Sequence, residues 1–251
     1  MTRKKVHLVD LVRLTTPGDI DTTIAKAQPF FGKKAGGWAY RSFRTGVHGT
    51  LSGSSIHRSG VMKISRGRGP QSCQNENSIV AGLFFDKYQD LRGHSDFLKD
   101  FFLDFNGVLI VASHIAIVQN DAGLHLIYVQ PRKGYCPNAP EHIARIKAFI
   151  TQYVVPSLDQ LIPRSIFSRF DASAKIHVEV FDAGTFHLKR KERWPRRYRQ
   201  GDGVIGGRHS LNEVIQTFCE AYSRLPILPA PETRTNPRRK PPPPSDQLSL
   251  C

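Results

Sequence analysis

Cysteine is scarce in this sequence. Its 251 residues hold four, Cys73, Cys136, Cys219 and Cys251, and they show neither the paired spacing of a zinc site nor the density of a disulfide scaffold. Reduced thiols in an intracellular, cytoplasmic setting follow as the expectation. Long apolar runs are also missing. The longest, Gly107 to Val118, is well below the roughly 20 residues that cross a bilayer, which argues against a membrane span or a membrane partner. The N-terminal MTRKKVHLVDLVRL has a short apolar stretch, but Asp10 and Arg13 interrupt it and no small-residue cleavage site follows, so an export signal is not expected. No internal repeat is visible. The most telling shortage is of negative charge: 21 Asp and Glu face 36 Lys and Arg, a formal net charge of +15. Such an excess repels itself in a folded chain unless a polyanion is near, and nucleic acid, DNA or RNA, is the commonest such partner.

What is present can build a core. Apolar residues make up 39% of the chain and include 15 Phe, more than a disordered polymer carries, and the length suits one main domain. The expected fold class is α/β or α+β, a central mixed sheet flanked by helices, with a basic N-terminal extension and a disordered Pro-rich tail. Composition divides the chain into a basic strand and loop region (1–70), the main α/β domain (71–224) and the tail (225–251), where Arg238, Arg239 and Lys240 precede Pro241 to Pro244. A segment of that composition buries too little to offset its ordering entropy.

Within the main domain, Ile79, Val80, Leu83, Phe84, Lys87 and Tyr88 recur at helical spacing behind a cap at Asn75 or Asn77, predicting a helix through Leu91. Asp96 to Phe105 is a second helical candidate. Gly107 to Val118, dense in β-branched residues, reads as a buried strand. The turn Asn120-Asp121-Ala122-Gly123 and a strand from Leu124 to Gln130 complete a hairpin. Pro140 opens a long helix marked by Ile143, Ile146, Lys147, Ile150, Tyr153 and Val154, which Pro156 kinks or ends. Lys175 to Phe181 alternates as a strand. Ser210, with Glu213 three residues on, caps a last helix whose stripe is Leu211, Val214, Ile215, Phe218 and Tyr222.

Two basic regions are candidates for contact with nucleic acid. In Lys189 to Arg199, KRKERWPRRYR, seven of eleven residues are Lys or Arg. Lys189, Arg190, Lys191, Arg193, Arg196, Arg197 and Arg199 would neutralise phosphates while Trp194 and Tyr198 stack on bases or sugar edges. The glycines that follow, Gly201, Gly203, Gly206 and Gly207, with Arg208, would let backbone N–H groups approach a phosphate ahead of the Ser210 helix. With no Gly-Lys-Ser/Thr they match neither a P-loop nor a dinucleotide fingerprint. The second region is N-terminal, where Trp38, Tyr40 and Phe43 alternate with Arg41 and Arg44, after which come His48, His57, Arg58, Lys63, Arg66 and Arg68 with almost no acidic residue between them. Arg41, Arg44, Arg66 and Arg68 are its candidate contacts.

From about Asn75 onward the order helix, strand, strand, strand, helix, strand resembles the core of the PD-(D/E)XK phosphodiesterase superfamily, over Gln71 to Phe181. In that family a Glu on the first helix, an Asp at the start of a strand and an acidic-x-Lys on the next strand hold a divalent metal that activates water. Laid over HIAIVQNDAGLHLIYVQPRKG, the resemblance puts Glu76 at the helix carboxylate, His114 at the Asp, Tyr128 at the second acid and Gln130 at the Lys. A shifted register offers Asp121, Gln130 and Lys133. Both depart from the family pattern, and one carboxylate binds Mg²⁺ weakly. The resemblance therefore implies a degenerate, nucleic-acid-binding relative, a subunit of a larger nucleoprotein complex in a mobile-element, phage or defence setting. The alternatives are an active nuclease, which alone would call for Mg²⁺, a metal-free ribonuclease built on one of the ten His residues, and a structural protein that coats nucleic acid.

Overall fold

The computed structural model describes residues 4–32, 42–68, 70–132, 140–163, 170–171, 173–184, 186–187, 192–199 and 210–225. The chain starts with strand β1 (Lys4–His7) and the helices α1 (Leu8–Leu14), α2 (Ile20–Gly32), α3 (Phe43–Leu51) and α4 (Arg58–Ile64). The long helix α5 (Gln71–Tyr88) leads into β2 (His94–Phe97), β3 (Phe101–Phe105), β4 (Val108–Ala112), β5 (Ile115–Asn120) and β6 (Gly123–Gln130). Helix α6 (Pro140–Phe149) continues through a π turn (Ile150–Val154) and a 3-10 turn (Val155–Ser157) into α7 (Leu158–Leu161). Then come β7 (Ile176–Asp182), β8 (Phe186–His187), β9 (Glu192–Arg193), β10 (Arg196–Tyr198) and α8 (Leu211–Ser223).

Both larger sheets are mixed and flanked by helices, as the sequence predicts. The five-stranded sheet has the order β10-β7-β6-β5-β2, with β6 parallel to β7 and its other pairs antiparallel. The three-stranded sheet, β1-β4-β3, pairs β1 parallel to β4. Period-two alternation along β5 and β6 feeds two cores. Ile115, Ile117, Leu124, Leu126 and Tyr128 pack with α1, α6 and α8, whereas Ala116, Val118, Ile127 and Val129 pack with α3 and α5.

Four local expectations are corrected. Residues 4–68 are not strands and loops: apart from β1 and turns, the described part is helical. Gly, Ser and His give α3 and α4 poor intrinsic helix propensity, but Phe43, Val47, Leu51 and Val61 are fully buried against α5, and tertiary packing decides. Asp96 to Phe105 is not a helix but the end of β2, a break and β3, whose residues alternate between half-buried and exposed. The apolar run Gly107 to Val118 is two strands in two different sheets. They part at Ser113–His114, where His114 takes the left-handed φ of +62°, uncommon for a residue with a Cβ. The α5 helix also starts earlier than expected, so that Asn77 is buried within it and accepts a bond from the Phe43 N–H at 3.2 Å. The tail from residue 226 lies outside the described residues.

The last helix is as its sequence reads. Ser210 Oγ accepts from the Glu213 N–H at 3.2 Å, satisfying one of the N–H groups a helix start leaves unpaired. Ser210→Ala is expected to cost about 1 kcal/mol, read as a lower urea midpoint at unchanged slope. An unmoved midpoint would assign the cap no weight.

Candidate nucleic-acid interface

The strand ends that the nuclease resemblance points to do come together, but their side chains do not converge. His114 and Gln130 lie at the same end of the sheet, since the His114 carbonyl accepts from the Val129 N–H at 3.0 Å. Glu76 reaches that end through Arg193, which ion-pairs with it and also donates to the carbonyls of Pro131 and Ala183 at 2.8 and 2.7 Å. Gln130 shares the phase of Tyr128, whose side chain packs with α1 and α6. It therefore falls on the face opposite α5, the helix that carries Glu76. Asp121 sits in the β5–β6 turn, at the far end of the eight-residue β6, roughly 25 Å away at about 3.4 Å per residue. Lys133 lies outside the described residues.

Magnesium needs several oxygen ligands on one face. Glu76 already faces a guanidinium, and no group of three or more His, Cys, Asp or Glu placed to hold a metal occurs among the described residues. The side chains described at this end do not fit a divalent cation. His114 is instead held by Arg44, whose Nε and Nη2 lie 3.2 and 3.1 Å from its Nδ1. A guanidinium only donates, so Nδ1 acts as the acceptor. Arg44 also pairs with Asp100 at 3.2 Å and lies over the Phe97 ring, which makes it a poor candidate for phosphate.

The basic segment 189–199 divides by side-chain direction. Lys189, Arg190 and Lys191, like Arg41 and Arg208, lie outside the described residues. Arg193 and Arg197 turn inward, with side chains only 5% and 11% exposed. Arg197 Nε donates to Glu179 at 2.8 Å, its Nη1 to the Lys87 carbonyl at 2.9 Å, and its guanidinium stacks 4.2 Å over the Tyr88 ring. Glu179 also meets His125 Nδ1 at 3.2 Å, and the His125 ring stacks on His177. Burial works against the charge of Glu179, but the bonds from His125 and Arg197 outweigh it and hold the carboxyl at about 2. Burial also pushes the Tyr88 phenol well up, with the charge of Glu179 adding to it. These contacts anchor β10 to the core. Trp194, Arg196 and Arg199 are exposed and Tyr198 is half-buried. A depression of about 490 Å³ beside them is lined by Asp86, Asp90, Lys87, Gln89, Arg197 and Arg199, and its two carboxylates oppose a polyanion there.

Among the described residues, a basic surface lies on α3, α4 and the turn after them. From Thr22 to Asn75 the sequence contains no Asp or Glu. Lys63, Arg66 and Arg68 are exposed, and none has an ion-pair partner among the described residues. His48 and His57 are exposed on the same hairpin, while Arg58 is spent on Asp86 at 3.0 Å. Gly67, at φ +66°, lets the Arg66–Arg68 turn press on α3, since a Cβ there would stand 1.9 Å from Ser42 Oγ. The turn thus holds its two cations beside the start of α3.

Of the candidates read from the sequence, Arg66 and Arg68 stand out on this surface, Trp194, Arg196 and Arg199 are exposed in or next to β10, and Arg44, Arg193 and Arg197 are engaged internally. Sequence reading did not single out Lys63 as a contact, nor the Asp10–Arg132 ion pair at 2.7 Å under α1. The scarcity of acid along the run from His48 to Arg68 marks Lys63 with its neighbours, but the sequence gives no reason to set it apart as a contact. Asp10 has a local partner in Arg13 at 3.5 Å, but its shorter pair is with a residue 122 positions away. No family model matches the chain, and a search of curated proteins returns no significant relative.

Proposed function

We propose that this protein binds nucleic acid through the basic face formed by α3, α4 and the Arg66–Arg68 turn. One observation carries the reading: Lys63, Arg66 and Arg68 stand exposed, with no ion-pair partner among the described residues, in a stretch of sequence that has no Asp or Glu. Like charges gathered on a folded surface repel one another, and a polyanion relieves that repulsion. The order of α5, the β5–β6 hairpin, α6 and the parallel strand β7 supports a nuclease-like frame, and the engagement of Glu76 by Arg193 supports a relative that holds nucleic acid without cutting it.

Titrating labelled DNA and RNA with the protein over a range of salt tests this. Each lost phosphate contact removes about 0.9 from the slope of log K against log salt on a duplex. Lys63→Ala, Arg66→Ala and Arg68→Ala together are expected to lower the slope by about 2 to 3 and affinity at about 0.1 M salt by roughly 10²- to 10³-fold. The nucleic acid should come back intact with either Mg²⁺ or EDTA. An unchanged slope would remove this face from the account, and cleavage that needs Mg²⁺ would favour an active nuclease.

A further inference from the structure

The same face carries an apolar feature that phosphate contact alone does not use. Ile56 is 60% exposed and Ile64 45% exposed. Scattered exposed aliphatic residues are ordinary, but these two share a neighbourhood. A Cβ placed on Gly49 of α3 would meet Ile64 Cδ1 at 3.1 Å, Ser55 Cβ at 3.5 Å and Ser54 Oγ at 3.7 Å. Ile64 therefore lies against α3 beside the loop that presents Ile56, with the Ser54 and Ser55 side chains close by. The chain neighbours of the pair are cations or imidazoles: His57 follows Ile56, Lys63 precedes Ile64 and Arg66 comes two residues later, all exposed. The result is two exposed isoleucines, one at the end of α4 and one in the loop beside it, with hydroxyls nearby and with Lys63 and Arg66 unpaired among the described residues.

Resting on the nucleic-acid reading above, we propose that this face takes duplex DNA, with Ile56 and Ile64 pressed as a wedge against a base step from the minor groove while Lys63, Arg66 and Arg68 hold the phosphates alongside. The choice of duplex DNA follows from side-chain chemistry. Unpaired bases are held by stacking on aromatic faces, and Phe43, the sole Phe, Tyr or Trp between residues 42 and 68, is buried. Aliphatic side chains instead partly unstack a base step from the minor groove and bend the duplex by roughly 20–90°. Duplex RNA has a shallow, wide minor groove lined by 2′-hydroxyls, which gives a wedge little purchase. An acidic protein would satisfy the cations but supplies no base step for the isoleucines to enter.

The test uses the full chain and a short DNA duplex with a fluorophore at each end. Energy transfer on binding reports end-to-end shortening, and anisotropy reports affinity and salt slope. The wild type is expected to shorten the duplex and to prefer it to single-stranded DNA and to duplex RNA of the same sequence by about tenfold or more. Ile56→Ala with Ile64→Ala should keep the salt slope, lose most of the shortening and lower affinity about tenfold. Ile56→Ala alone, in an exposed loop, should lose part of the shortening at an unchanged melting temperature. Binding without shortening, shortening that survives the double variant, or equal or tighter binding of single strands or duplex RNA would each overturn the wedge while leaving nucleic-acid binding in place. Displacement of duplex by polyglutamate at equal charge concentration would assign the face to an acidic protein. Failure to bind any nucleic acid in dilute buffer would overturn both readings.

Discussion

Glu179→Gln is expected to destabilise the fold by about 3–5 kcal/mol, the cost of removing one partner from a buried ion pair. The carboxylate is 5% exposed and joins His125, Arg197 and, through Arg197, the last turn of α5. Its loss leaves a guanidinium that is 11% exposed with only the longer, solvent-exposed pair to Asp90 at 3.4 Å. For a domain stabilised by roughly 5–15 kcal/mol in all, that is a substantial fraction. Replacing both residues, Glu179→Leu with Arg197→Leu, should cost clearly less than the two single changes added, because neither charge is then stranded. Additive costs in urea unfolding would show that the pair is not coupled. Acid reports the same group. Glu179 is held at about 2 in the folded protein against an ordinary 4.5, so the stability it contributes is present above 4.5 and is lost as pH falls towards 2. His7 and His142 are both pushed below their ordinary value, chiefly by burial and then by Arg132 and Arg145 respectively. What they contribute is present above 6.5 and lost as pH falls below it. Wild-type stability should therefore decline on acidification in both windows, and Glu179→Gln should flatten the lower one only.

The parts of the fold that were legible are those whose local chemistry agrees with their surroundings. The Ser210–Glu213 cap, the β5–β6 hairpin around Asp121–Ala122 and the alternation of β7 are local patterns that tertiary packing reinforces. The α3 and α4 helices were not legible, because Gly46, Gly49 and Gly60, which depress helix propensity, are there to let neighbouring chain segments approach closely. Asp96 to Phe105 was misread because its phenylalanines fit a helical stripe and a strand alike, and only pairing with β4 and β5 decides between them. The candidate site was legible as charge and not as geometry. The count of cations in 189–199 is fixed by sequence, but whether each guanidinium points to solvent depends on Glu76 and Glu179. Those acids lie 117 and 18 residues from their partners.

Gly46→Val is expected to cost about 3 kcal/mol or more and to loosen the proposed interface with it. A Cβ on Gly46 would stand 1.9 Å from Ser65 Oγ, 2.8 Å from Ala81 Cβ and 3.0 Å from the Val61 carbonyl, so α3 is wedged between the end of α4 and the middle of α5 with no room for a methyl group. Overpacking of this kind typically costs about 1–3 kcal/mol. In Gly46→Ala, about 1 kcal/mol of improved helix propensity offsets part of it, and with contacts this short the net loss should lie towards the upper end of what remains, up to about 2 kcal/mol. In Gly46→Val the extra methyls deepen the clash and the β-branch recovers less propensity. Ser65 supplies the shortest contact through a hydroxyl that is itself bonded to the Val61 carbonyl at 2.7 Å, so adding Ser65→Ala should recover part of the Gly46→Ala loss although it removes a hydrogen bond on its own. Ser65 also leads directly into the Arg66–Arg68 turn. Forcing α3 away from it displaces the cations that the turn presents, and nucleic-acid affinity should fall at temperatures where the variant remains folded. A Gly46→Ala protein of wild-type stability would show that the helices give way freely, and the close approach of α3 would then have no part in fixing the basic face.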